Sequence, residues 1–324
     1  NMTIEEVKER AKIAIKKQLL HGTQYMRTHI DVTDPNLTSL KAMLELREEL
    51  KDIIEIQIIA FPQEGMYSYK DGDKLVEKAL QMGADVVGAI PHFEYTWEMG
   101  EKSIKKTVEL ALKYDKLIDV HCDETDDPNS RYLELLAGEA YMNGIGHKTT
   151  ASHACAMGSY NNAYAFKLFK LLKLSNINII SCPTENIHLQ GRYDTYPKRR
   201  GLTRVKELND AGINVCFAQD SMCDPWYPLG NGNLMTILDF GIHIAQMMTF
   251  EEINNALDLV TINGAKTLHI EDRYGIEVGK EANFIVLDAK NEFDAILERV
   301  GIKKSIRNGK ILIEKEPQVI LTDC

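Results

Sequence analysis

Short apolar runs rich in Ile and Val alternate along the chain with longer stretches whose apolar residues recur at helical spacing. The runs lie at 25–31, 54–61, 84–90, 117–121, 149–153, 177–181 and 213–217. Between them, helical patterns fall at 37–50, 73–82, 102–114, 132–143, 163–174 and 203–211. A first helix over 3–20 is signalled by Thr3 with Glu6 three residues on, a capping-box pair. The strand starts are separated by about 31 residues on average, one strand-helix unit per step. Strands apolar on both faces are those of a parallel sheet covered by helices. Six of them run into polar residues, Asp31, Gln63, His92, His121, His153 and Asp220. These positions fall at the C-terminal mouth, where α/β active sites lie.

Seven such units with one rhythm predict an α/β fold, a (β/α)8 TIM-type barrel whose first strand is missing. The spacing places that strand before residue 1, so an N-terminally truncated chain is expected. The alternative is an open doubly wound sheet, which needs no closure. After the last unit, helices are predicted at 234–247, 249–257 and 263–268, and the tail turns β-like. A strand over 281–288 precedes two runs, 302–306 and 311–314, flanking Asn308-Gly309, a hairpin signal. The expected division is a barrel over 1–270 and a small C-terminal β-subdomain over 271–324.

Composition narrows the classes of function. The 324 residues are 44% hydrophobic and 27% charged, ordinary for a globular protein. No run approaches ~20 uninterrupted apolar residues, so no membrane partner is expected. The net charge of −10 disfavours a phosphate backbone, so no nucleic-acid partner is expected either. The six cysteines form no C-x-x-C pair. Four of them, Cys122, Cys155, Cys182 and Cys216, lie in or just after strand-like runs, as buried thiols of a reducing cytoplasm do. A cytoplasmic protein, expected as a homo-oligomer, is the resulting picture.

The chemistry-bearing residues gather at the predicted strand ends. His121 can offer an imidazole nitrogen to a metal, and Glu124, three residues on, can serve as general acid/base. His153 ends the next strand, and Asp220 the last. Each has a bland reading as a loop residue. Four together at one mouth point instead to a hydrolytic metal site, where a bound ion makes hydroxide available near neutral pH. Gln63, after Phe61-Pro62, can read an amide or pyrimidine edge because its carboxamide both donates and accepts. Trp226 can wall an aromatic ligand. His29 and Asp31 are read as structural or as supports behind the site's own ligands, and His21, His147, His243 and His269 as ordinary surface or helix histidines.

The motifs RTHIDV (27–32), IIAFPQEG (58–65), GADVVGAIPHFEYT (83–96) and LIDVHCDE (117–124) make the chain resemble the bacterial cytosine deaminases of the amidohydrolase superfamily. NIHLQGRYDTYPKRRGLTRVKEL (186–208) and DPWYPLG (224–230) extend the resemblance over nearly the whole chain. It implies a barrel of the metal-dependent amidohydrolases with one divalent ion, iron or zinc. In it His121 and Asp220 are metal ligands, Glu124 protonates the ring nitrogen, and His153 steadies the attacking hydroxide. Gln63 reads the cytosine edge, with Phe61 beside it, and Trp226 walls the pocket. The implied partner is a small pyrimidine, and the implied reaction turns cytosine into uracil and ammonia.

Two departures from the family pattern matter. The H-x-H pair of its first strand occurs nowhere here, so the metal site of this chain is incomplete and its activity is expected to be low. Where the family commonly reads His-Asp-Asp, this chain has Gln219-Asp220-Ser221. Ser221 is smaller and neutral, which leaves room beside the pyrimidine C5 and predicts acceptance of 5-methylcytosine. The competing readings are an amidohydrolase acting on isoguanine or another cyclic amidine, and a metal-free remnant acting as a binding or assembly protein.

Overall fold

The computed structural model describes residues 2–316, so the end of the expected β-subdomain, 317–324, lies outside them. Seven parallel strands pair in chain order: β1 (Tyr25–Asp31), β2 (Glu55–Phe61), β3 (Val86–Ala89), β4 (Leu117–Cys122), β5 (Thr149–His153), β6 (Asn178–Ser181) and β7 (Val215–Phe217). A doubly wound sheet reverses its strand order at a switch point. This order does not reverse, which favours the barrel over the open sheet.

The sheet curls into a half-barrel. Arg27 on β1 reaches Asp119 on β4, three strands along, at 3.0 Å. In a flat sheet those strands would stand roughly 14 Å apart. Curvature alone brings the two side chains together inside.

Helices α1 (Ile4–Leu20), α2 (Thr38–Leu50), α3 (Gly72–Met82), α4 (Trp97–Tyr114), α5 (Tyr132–Met142), α6 (Asn162–Ser175), α7 (Pro183–Leu189) and α8 (Val205–Asp210) punctuate the strands. The Thr3–Glu6 capping box is realised in both directions. Helix α4 begins five residues before the predicted 102, because the Thr96 hydroxyl accepts from the Met99 N–H and starts the turn early. Helix α7 was not expected; it follows β6 directly, with Pro183 in its first turn, where a missing N–H costs nothing. One apolar core joins the strands to their helices, with Ile58, Val87, Val120, Ala151, Ile179 and Val215 meeting Leu40, Leu46, Val76, Ile104 and Leu133.

After β7 come α9 (Leu234–Ile244), α10 (Phe250–Asn254) and α11 (Ile262–Thr267). A separate antiparallel sheet follows, built from β8 (Phe284–Leu287), β9 (Ile302–Arg307) and β10 (Lys310–Glu314), with β9 in the middle. A short helix, α12 (Glu292–Leu297), interrupts it and was not expected; Asn291 caps it by accepting from Asp294 N–H at 2.8 Å. The predicted hairpin is present, with Asn308 and Gly309 at φ 49° and 73°, the left-handed pair a tight hairpin turn demands. Gln24, just before β1, donates to Ser305 Oγ and the Ile306 carbonyl, tying this sheet to the barrel.

Candidate active site

The loops that end the strands are held by buried side chains rather than by chance. Asp123, fully buried with φ 52°, accepts from Ser130 Oγ at 2.6 Å, Tyr132 N–H at 3.0 Å and Leu133 N–H at 2.8 Å. It thereby fixes the turn that carries Glu124 and caps α5. Burial pushes the Asp123 carboxyl up, and those donors offset part of the effect. Glu94 does the same for the loop after β2, accepting from the N–H groups of Met66 and Ser68, both at 2.7 Å. After β7, Gln219 donates to the Ser221 carbonyl at 2.7 Å and accepts from Gly232 N–H at 3.3 Å, so it braces the Asp220 loop from within.

On these supports the predicted residues converge. His153, 1% exposed, has Nδ1 at 3.4 Å from Glu124 and Nε2 at 3.7 Å from Asp220. Its ring meets that of His121 edge-on, with centroids 4.5 Å apart. His153 sits at φ 71° and Ala154 at φ 48°, two left-handed residues in succession at the end of β5. Such conformations cost energy and gather at functional sites. Asn186 on α7, its Oδ1 facing the Cys182 N–H at 3.3 Å, turns its amide nitrogen to His153 Nδ1 at 3.1 Å.

The site's electrostatics follow from burial and from its two carboxylates. Burial pushes the Glu124 carboxyl up, and Asp220 adds to this while His153 opposes it. Burial would lower the His153 pKa, but Glu124 and Asp220 beside it outweigh that and raise it. Burial holds His121 far below the usual imidazole range, lowers His29, and lowers His92 to about 3. These rings are therefore neutral, the form in which imidazole binds a metal.

The structure also brings into the cluster residues to which the sequence reading gave no catalytic or ligand role. His92 has neither ring nitrogen bonded, and His29 Nε2 is also buried without a partner. The His29 ring packs on His121 at 4.3 Å, so the His29 of RTHIDV belongs to the cluster rather than to a purely structural layer. Glu185, next to Asn186, is 1% exposed with both oxygens unpartnered, and burial pushes its carboxyl up to about 7. The polar ends of β1 and β3 were visible in the sequence. Glu185 gave no signal, because α7 was not expected.

The remaining predicted residues are placed as follows. Phe61 is buried, its ring 4.9 Å from His29 and 4.5 Å from His121, so it packs into the imidazole cluster. Gln63 is exposed two residues past β2, Ser221 is half-buried, and Trp226 is 59% exposed on the loop after β7. Asp224 accepts from the N–H groups of Trp226 and Tyr227, each at 2.9 Å.

Two groups of donor atoms lie close enough to hold an ion: His121, Glu124 and His153, and His153, Cys182 and Asp220. His121 and Asp220 thus sit in overlapping groups joined by His153. Imidazole and carboxylate donors, beside the unpartnered nitrogens of His29 and His92, suit a bound metal ion.

The pattern of the Amidohydrolase family matches residues 2–313, and the chain belongs to that family. Its fold superposes with a TM-score of 0.98 on 5-methylcytosine deaminase from Klebsiella pneumoniae liganded with 5-fluorocytosine, at 53% identity, over 99% of this chain and 78% of that one. The chain is also similar to N-isopropylammelide isopropyl amidohydrolase of Pseudomonas sp., at 32% identity over 98% of this chain and 75% of the relative. A third relative is a pterin deaminase of Rhizobium rhizogenes, 26% identical over 98% of this chain and 72% of its own length. The amidohydrolase resemblance read from the motifs is therefore borne out. Among the described residues no helix is long and apolar enough to cross a membrane.

Proposed function

We propose that the chain is a metal-dependent hydrolytic deaminase of cytosine-type bases that takes 5-methylcytosine, converted to thymine and ammonia, in preference to cytosine. The observation that carries the reading is the meeting of Glu124 and Asp220 on the two nitrogens of buried His153, beside His121, at the ends of β4, β5 and β7. His121 and Asp220 would supply two of the ligands of one ion of the iron or zinc class, a set that the absent H-x-H pair leaves incomplete in this chain; a bound ion would supply the positive charge that makes water a nucleophile near neutral pH. The chain's own groups supply the proton transfers. Burial favours the protonated form of Glu124, which delivers its proton to ring N3. His153, whose proton affinity Glu124 and Asp220 raise, relays a proton with Asp220 through Nε2 to the departing amine, while its Nδ1 faces the Asn186 amide. Asn186 orients the His153 ring. Gln63 is available to the carbonyl edge of the base, and Phe61 and Trp226 to its ring.

Ser221 carries the choice of base. It stands next to Asp220, where an acidic side chain would crowd C5, and leaves space for a methyl group. The 53% identity to a 5-methylcytosine deaminase supports the same substrate. The Ser221→Asp variant tests it. The ratio of kcat/KM for 5-methylcytosine over cytosine should fall by about tenfold or more, the scale on which one methyl group is discriminated. An unchanged ratio would sink the assignment. We further place the barrel over residues 1–270 and a β-subdomain after it, and infer a cytoplasmic homo-oligomer, in keeping with the buried free thiols of Cys122, Cys155, Cys182 and Cys216.

A further inference from the structure

Glu185 is a carboxyl that folding alone gives no reason to keep. It is 1% exposed, and neither oxygen has a hydrogen-bond partner. Asp220, Asp224 and Glu124 around it repel a negative charge, and His153 is the one ring among its charged neighbours that attracts it. The peptide N–H of Ser221 also faces it, without forming a hydrogen bond of proper geometry. A buried polar group left unpaired costs roughly 1–3 kcal/mol, more when charged, and an apolar side chain there would avoid that cost. A group kept against stability in a cleft beside catalytic residues is a candidate for ligand contact.

Its place in the barrel says which part of a ligand it meets. On the deaminase reading, on which this inference rests, Glu124 on the loop after β4 addresses N3, and Gln63 after β2 the neighbouring carbonyl edge. The opposite edge of the ring, C5 and C6, then turns toward the ends of β6 and β7. Ser221 stands after β7, and Glu185 after β6 beside it. Ser221 makes space there but offers little to a bare methyl group. A carboxyl behind that space offers a hydrogen-bond acceptor.

We propose that Glu185 is a specificity-determining residue that accepts a hydrogen bond from a donor carried on the C5 substituent, making this a site for cytosines with a C5 hydroxymethyl-type group. A hydroxymethyl fills the space the methyl fills and adds the O–H that the unpartnered Glu185 oxygens lack. A methyl group leaves them unpaired. A pocket built to bond a hydroxyl discriminates against the analogue without one far more strongly than an apolar pocket rejects an added hydroxyl.

The test compares 5-hydroxymethylcytosine with 5-methylcytosine in the metal-loaded protein, reading the ratio of the two kcat/KM values so that a general loss of activity cancels. The unaltered protein should prefer the hydroxymethyl base. Glu185→Leu should lower the ratio by about tenfold or more, while Glu185→Gln, which keeps an acceptor oxygen, should retain the preference. A second readout needs no turnover: calorimetric binding of the products 5-hydroxymethyluracil and thymine should show the same preference and the same loss in Glu185→Leu. Turnover of 5-methylcytosine with no preference for the hydroxymethyl base, or a preference that survives Glu185→Leu in both readouts, overturns this inference alone. No turnover of either base overturns the deaminase reading and this inference with it.

Discussion

Two clusters of buried polar groups lie inside the same half-barrel, and they are finished very differently. Toward the N-terminal ends of the strands, Arg27 pairs with Asp119 at 3.0 Å, with side chains 5% and 0% exposed. The other donors of Arg27 go to Gln57 Oε1 at 3.0 Å and the Thr267 carbonyl at 2.8 Å. Asp119 accepts again from Ser152 at 2.6 Å, and Gln57 donates to the Leu268 carbonyl at 2.7 Å. Two residues further along β4, and one along β5, the rule changes. At the mouth, His29, His92, Ser181, Thr184 and Glu185 keep buried atoms with no partner. The Arg27 network that ties β1 to β4, β5 and α11 is saturated; buried atoms of Gln24, Ser103, Asn214 and Arg307 are also unpaired elsewhere, but those at the mouth gather beside the candidate ligands, where a bound molecule could meet them. The same strands thus carry a structural layer and a chemical layer.

The sharpest way to break this contrast is to remove one partner from each layer. Arg27→Met strands Asp119 in the interior and should destabilise the fold by about 3–5 kcal/mol. Urea denaturation reads this, and a loss below 1 kcal/mol would mean that water replaces the guanidinium. Glu124→Gln removes a charge from a site where burial already opposes it. It should leave the denaturation midpoint unchanged or higher while lowering kcat by about 10³-fold, roughly 4 kcal/mol of barrier. Loss of stability in parallel with activity would put Glu124 in the structural layer instead.

A smaller effect probes the boundary between the layers. Asn186→Ala frees the His153 ring without touching a reacting atom. It should cost about 10–100-fold in kcat/KM, as loss of an orienting partner does elsewhere. The pH dependence of kcat should move with it, since the ring's surroundings change; a uniform loss across pH would make Asn186 a packing residue only. The smallest effect belongs to the helical coat. Glu252 bonds Lys206 and closes the capping box at Thr249, which together depress its pKa from 4.5 to about 2. Its contribution to stability is therefore complete above pH 4.5 and fades as the pH falls toward 2. Glu252→Gln should cost about 1 kcal/mol at pH 7, and urea midpoints of the two proteins should draw together as the pH is lowered through that window.

How far the sequence disclosed these layers follows from periodicity. Strands repeat apolar runs at a regular spacing, so β1 to β7 were legible to within a few residues, and so were the polar residues that end them. His121, Glu124, His153 and Asp220 could be named because strand ends in a barrel share one mouth. Glu185 and Asn186 escaped because α7 is a single short helix whose pattern is too brief to show a period. The Arg27–Asp119 pair escaped for a different reason. It links residues 92 apart, and only the curvature of the sheet brings them together. Gln219 was marked as a departure from the family pattern, but its part in bracing the Asp220 loop depended on the distant Gly232.

The most direct test of the central claim is ammonia release from 5-methylcytosine by the metal-loaded protein, with the Glu124→Gln variant alongside. The account predicts ammonia and thymine in equal amounts, abolished by removing the metal and reduced about 10³-fold in the variant. No ammonia from the loaded protein, or release that Glu124→Gln leaves untouched, would contradict it.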